Sequence, residues 1–138
     1  MVHALQEAHR VLRPHGLLID LRPAPAHRRV GLQRGQRWTL IETMKEDLSD
    51  DQMANQAVKT AVGRGLFRRG LYDRFDVTRH VGGLSSFRAW LEEFAVLARL
   101  PPHAWLVDRV AAALRRGSGK VKVVVRGPLE MRVLRKRG

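Results

Sequence analysis

A chain of 138 residues, 44% of them hydrophobic, is long enough for one compact domain with a real core, which argues against disorder except at the ends. It has no cysteine, which excludes disulfides, a catalytic thiol and cysteine-bound zinc, and no apolar run near the roughly 18 residues that span a bilayer. The formal charge of +13 rests on 26 basic residues, only five of them lysines (Lys45, Lys59, Lys120, Lys122, Lys136). The arginines are scattered as a GC-rich bacterial genome would scatter them, with one dense cluster from Arg132 to Arg137. Such an excess can attract nucleic acid, but a nucleic-acid footprint is usually clustered on one face, so nucleic acid is the lesser expectation. Met1-Val2-His3-Ala4 does not open a signal peptide, and the expectation is a cytoplasmic protein with no membrane partner.

The first element reads as a helix. Ala4, Leu5, Ala8, Val11 and Leu12 recur at three- and four-residue spacing and form an apolar stripe. Pro14 and Gly16 stop it, with Gly16 suited to a left-handed cap. Leu17 to Leu21 is short, nearly all apolar and directly behind a turn, which predicts a strand buried on both faces. Arg22 to Arg34, with its prolines and charges, reads as a loop, and Arg37 to Glu42 as a short strand. Ser49 and Gln52 have capping-box spacing ahead of a helix carrying Met53, Ala57, Val58, Ala61 and Val62, which Gly63 and Gly65 end.

Arg74 to Val81 alternates as a strand, and Gly82-Gly83 breaks it. Ser85 or Ser86 is expected to cap a helix with Phe87, Trp90, Leu91, Phe94 and Ala98 on its apolar face. Pro101-Pro102 forces a break before a helix with Val107, Val110, Ala111 and Leu114. Trp90 and Trp105 read as core residues. After a turn at Gly117-Ser118-Gly119, Lys120 to Arg126 alternates as a half-exposed strand. Beyond Gly127-Pro128 the alternation resumes at Leu129, Met131 and Val133, as a bulged long strand or a hairpin. This order implies α/β layering on a small mixed sheet.

Residues 4–20, Ala-Leu-Gln-Glu-Ala-His-Arg-Val-Leu-Arg-Pro-His-Gly-Leu-Leu-Ile-Asp, carry a specific pattern. The stretch resembles the region of class I S-adenosylmethionine (SAM)-dependent methyltransferases in which a helix ending like R-V-L-[RK]-P-G-G feeds the fifth strand. His15 stands where that family usually has its first glycine, and histidine tolerates positive φ better than most residues. Phe75 to Leu91 is similar to the family's sixth strand and following helix, and Val123 to Arg126 to its last strand, which runs antiparallel between the fifth and sixth. The resemblance implies a partial Rossmann-like methyltransferase fold over residues 1–138, a single α/β domain with an antiparallel last strand and flanking helices.

The family's SAM site needs a glycine-rich turn after its first strand and an acid ending the second, and this sequence has no G-x-G-x-G. Gly63-Arg64-Gly65 follows a helix and reads as its cap. SAM is therefore a cofactor by resemblance alone, and the chain is expected not to bind it by itself. The resemblance makes the chain the substrate-side half of a methyltransferase; the alternative is a non-enzymatic basic domain that binds a partner chain or nucleic acid. An upstream reading frame encoding a strand and a glycine-rich turn would separate the two.

The edge after the strand at Leu17 to Leu21 is where open α/β sheets hold ligands. Asp20, Arg22 and His27 lie there and are the candidate substrate-facing residues, against the plainer readings of a local ion pair for Asp20 and Arg22 and a solvated loop histidine for His27. None of His3, His9, His15, His27, His80 and His103 has zinc-protease spacing, and there is no P-loop, G-x-S-x-G elbow or paired-carboxylate motif. With its neighbour in the sheet absent, the apolar strand would keep an open edge. Self-association or a complementary N-terminal half is the expected partner.

Overall fold

A computed structural model describes residues 1–97, 103–117 and 119–138. Among these described residues four helices and an open antiparallel sheet of five strands follow in the order α1 (Val2–Val11), β1 (Leu17–Pro23), β2 (Arg29–Arg34), β3 (Arg37–Thr43), α2 (Ser49–Gly63), β4 (Phe67–Gly82), α3 (Leu84–Leu97), α4 (Ala104–Arg116) and β5 (Lys122–Lys136). The strands pair in the order β1-β5-β2-β3, and β4 also pairs with β5. None of these helices is long and apolar enough to cross a membrane. The chain divides into two compact units: residues 1–26, 48–75 and 128–138 form the first, and residues 27–47 and 76–127 the second.

In the first unit β1 pairs antiparallel with the C-terminal half of β5, from Leu17 opposite Arg135 to Pro23 opposite Leu129. Period-2 alternation sends Leu18, Asp20 and Arg22 to one face and Leu17, Ile19 and Leu21 to the other. The first face receives the core: Leu5 of α1, Ala57, Val58 and Ala61 of α2, Phe67 of β4 and Leu134 of β5, with Leu12 and Leu18 at its margin. The other face stays wet, with Leu17, Ile19 and Leu21 at 50%, 64% and 55% exposure. The strand expected at Leu17 to Leu21 is therefore present but is not buried on both faces, because α1 and α2 cover one side of it only. The helical stripe of α1 is likewise half used: Leu5 is buried and Val11 is exposed.

The turn from α1 into β1 shows why the motif has its form. His15, not Gly16, takes the left-handed conformation, at φ 62°. Gly16 serves a different need: a Cβ there would stand 2.9 Å from the Arg13 carbonyl oxygen and 3.3 Å from a Leu12 methyl. The Gly16 amide donates to Arg13 O at 2.9 Å, closing the turn.

In the second unit β2 and β3 form a hairpin, and β2 pairs antiparallel with the N-terminal half of β5, Arg29 opposite Arg126 through Gln33 opposite Lys122. Helices α3 and α4 pack on it around Val30, Met44, Phe87, Leu91, Leu106, Val110, Val123 and Val125. Trp90 lies at the margin of this core, but Trp105 is 41% exposed, because α4 turns Leu106 and Val110 inward and Trp105 precedes both. At β2, a Cβ on Gly31 would meet the Trp38 ring at 2.4 Å, so the glycine seats that ring.

The remaining expectations shift as follows. Residues 29–34, expected as loop, are strand because they pair with β3 in a hairpin and with β5 on their other edge. The last strand is one long element. Its residues 129–135, not those near 121–125, lie beside β1. All three registered pairings are antiparallel, so the sheet is not mixed. β4 starts at Phe67, seven residues before the expected Arg74, and residues 68–80 are exposed. Leu48, not Ser49, is the N-cap of α2, and α3 begins at Leu84, ahead of both serines. Ala98, Pro101-Pro102 and Ser118 lie outside the described residues.

Candidate functional site

The covered face of β1 starts apolar, Leu18 opposite Leu134, and becomes ionic: Asp20 stands opposite Arg132 and Arg22 opposite Glu130. Residues i and i+2 share a face of a strand, so Asp20 and Arg22 meet. Arg22 Nε donates to both Asp20 carboxylate oxygens at 3.0 Å, and its Nη1 reaches the Asp51 carbonyl of α2 at 3.5 Å. Arg132 Nη1 donates to Asn55 Oδ1 of α2 at 2.7 Å and lies 4.0 Å from Asp20 Oδ2. Glu130 Oε1 is 3.1 Å from Arg132 Nη2 and 3.7 Å from Arg22 Nη2. Neither of these last two contacts is a hydrogen bond, the Arg22 one being too long, so Arg22 Nη2 and Glu130 Oε1, both buried, are held by charge.

Two arginines and two carboxylates therefore neutralise one another with side-chain exposures of 3–20%. A buried group of this kind is a poor source of net stability, since desolvation consumes much of the Coulomb gain, but it is intolerant of losing one member. Tyr72 of β4 completes it: its hydroxyl donates to Glu130 Oε2 at 3.3 Å, and the Arg132 guanidinium stands 5.3 Å from the centre of its ring. Tyr72 and Arg132 also line a cavity of about 320 Å³, together with Asn55, Lys59, Arg69 and Leu71. That is the small end of ligand-site volumes. Its donors are cationic, hydroxyl and amide groups suited to a small anionic or hydrogen-bonding moiety, and no activated nucleophile lines it among the described residues.

Asp20 and Arg22 are thus together, as the ion pair the plainer reading anticipated. His27 belongs to the second unit. There its Nδ1 accepts the Glu46 amide at 3.1 Å, while the Arg28 amide donates to Glu46 Oε2 at 2.6 Å and the Arg28 guanidinium pairs with Glu46 Oε1. These bonds tie the β1–β2 connection to the segment after β3. Glu130, Arg132, Tyr72 and Asn55 were missed in the sequence. The alternation of Glu130, Arg132 and Leu134 against Leu129, Met131 and Val133 was visible, but its register against β1 was not.

Gly63-Arg64-Gly65 closes α2, with Gly65 at φ 78°, instead of opening a helix after a strand. Among the described residues no three His, Asp or Glu side chains cluster as metal ligands would. No known family, curated protein or solved structure matches the chain.

Proposed function

We propose that this chain is the substrate-side half of a SAM-dependent methyltransferase-like protein, inactive by itself, which a glycine-rich half completes at the free edge of β1. The observation that carries the reading is that β5, the last strand, pairs antiparallel with β1 and also pairs with β4. The methyltransferases resembled by residues 4–20 place their last strand between the fifth and sixth in the same way.

The state of β1 fits the reading. Among the described residues it pairs with β5 alone, which leaves one edge of amides and carbonyls unpaired, and its second face exposes Leu17, Ile19 and Leu21. A glycine-rich half would supply the missing strand and cover that face. On this reading Tyr72 and Arg132 contact the methyl acceptor, and Asp20, Arg22 and Glu130 position them. The same edge also serves the second reading, a non-enzymatic basic domain that binds a partner chain there.

Calorimetric titration separates the two. SAM titrated into this chain alone should show no saturation at micromolar concentration. Saturable binding should appear when the chain is joined to, or co-expressed with, a glycine-rich segment encoded beside it. If no such segment is encoded, or its addition brings no SAM binding, the methyltransferase reading fails and the partner-binding one stands.

A further inference from the structure

The second unit holds a cavity of about 760 Å³ between the β2–β3 hairpin and α4, within the range of small-molecule sites. Its walls follow from two periodicities. On α4, Arg109, Ala112, Ala113 and Arg116 fall at i, i+3, i+4 and i+7, one face of the helix, while Leu106 and Val110 fill the core. The two alanines are too short to reach the hairpin, and the gap they leave is the cavity. On the hairpin, Leu32 opposes Thr39 and Arg34 opposes Arg37, so all four side chains share a face, and all four line the cavity.

The arginines are arranged at a cost. Arg34 and Arg37 are direct cross-strand partners flanking the tight turn at Gly35, which has φ 57°, and like charges in that position repel. Arg116 approaches from the last turn of α4. Its place there is favourable toward the helix carbonyls, but that does not account for the arginine pair on the hairpin. Only Arg109 has a carboxylate partner among the described residues, Glu42 at 2.7 Å, and neither aspartate nor glutamate lines the cavity.

We propose that this cavity binds an amphipathic organic anion, its phosphate or carboxylate held by Arg34, Arg37 and Arg116 and its apolar body lying over Leu32, Ala112 and Ala113. Guanidinium groups pair with such oxyanions in a bidentate manner, and a bound anion relieves the Arg34–Arg37 repulsion. The inference is independent of any methyl transfer, since it concerns the other unit.

The test is calorimetric titration of the full chain with decyl phosphate and decanoate below their micelle-forming concentrations. Saturable one-to-one binding is expected, at least tenfold tighter than for inorganic phosphate or for decyltrimethylammonium. The double substitution Arg34→Ala/Arg37→Ala should weaken it at least tenfold. Arg68→Ala/Arg135→Ala, which removes the same charge from exposed positions in the first unit, should change it less than twofold. Ala113→Leu, which fills the cavity without touching charge, should abolish binding while circular dichroism stays native.

Phosphatidylglycerol vesicles form a further arm. Capture that Ala113→Leu abolishes assigns a lipid headgroup as the source of the anion, and no capture assigns a soluble anion. The proposal is overturned if no amphiphile saturates the protein, or if both double variants weaken binding equally, which is bulk attraction to a +13 chain. Single-stranded DNA that binds more tightly than decyl phosphate and depends on Arg34 and Arg37 would also overturn it.

Discussion

The two units use the same residue type in opposite ways. In the first, Arg22 and Arg132 are drawn into the sheet face and matched by Asp20 and Glu130. In the second, Arg34, Arg37 and Arg116 stand around an open cavity with no carboxylate on its lining among the described residues. A uniformly basic composition thus conceals one neutral, structural group of charges and one uncompensated one. The sign of a substitution's effect distinguishes them, because removing a charge from a balanced buried cluster strands its partners, whereas removing one from a repelling pair relieves them.

The largest expected effect is at Glu130, whose side chain is 3% exposed. Glu130→Ala leaves Arg22 and Arg132 sharing Asp20 alone and should destabilise the protein by about 3–5 kcal/mol in urea unfolding. A loss below about 1 kcal/mol would mean that the cluster is far wetter than its geometry.

Gly31→Ala gives the second unit a disruption of a different origin. The added methyl would lie 2.5 Å from the Thr39 carbonyl as well as against Trp38, and that ring's Nε1 donates to Val124 O at 3.2 Å beneath the Arg126 guanidinium. Overpacking of this kind costs about 1–3 kcal/mol, and tryptophan fluorescence should report the displaced ring.

Arg37→Glu should go the other way. Facing Arg34 across the hairpin, the glutamate replaces repulsion by attraction and should stabilise by about 0.2–1 kcal/mol, measured by the same unfolding at low salt. Its gain should shrink as salt is added. A destabilisation would show that Arg37 already has an internal partner and would remove the contrast between the units.

The smallest effect on stability is expected at Ile19, 64% exposed on the wet face of β1. Ile19→Lys should change stability by no more than about 0.5 kcal/mol. It should nonetheless lower the apparent mass in light scattering if the open edge and stripe drive association. A monodisperse monomer before and after the change would remove self-association from the reading of β1.

Much of the local structure was legible in the sequence. The helix from Val2, the strand from Leu17, the β3 segment, α2 and α4 all follow from periodicity and from breakers at Pro14, Gly63 and Gly117. The glycine and histidine of the α1–β1 turn were both legible as special positions: His15 takes the positive φ that a histidine tolerates, whereas Gly16, expected as a left-handed cap, serves a close approach instead. Asp20 and Arg22 were found because they border the end of a strand visible in the sequence, and their pairing because they are two residues apart. Arg34, Arg37, Arg109 and Arg116 were not, since among scattered arginines nothing local marks the four that converge.

The sequence by itself determined which segments alternate, where they turn and which residue types they carry, because dihedral preferences and apolar periodicity act over a few residues. Tertiary structure decided the rest. Residues 29–34 became a strand through the β3 hairpin on one side and the edge of β5 on the other, and Glu130 and Arg132 became partners of β1 only through a register more than a hundred residues long in sequence separation. Burial of one face of β1 and exposure of the other followed from where α1 and α2 pack. A strand's alternation fixes that it has two faces; what covers each face is a property of the neighbours that the chain brings to it.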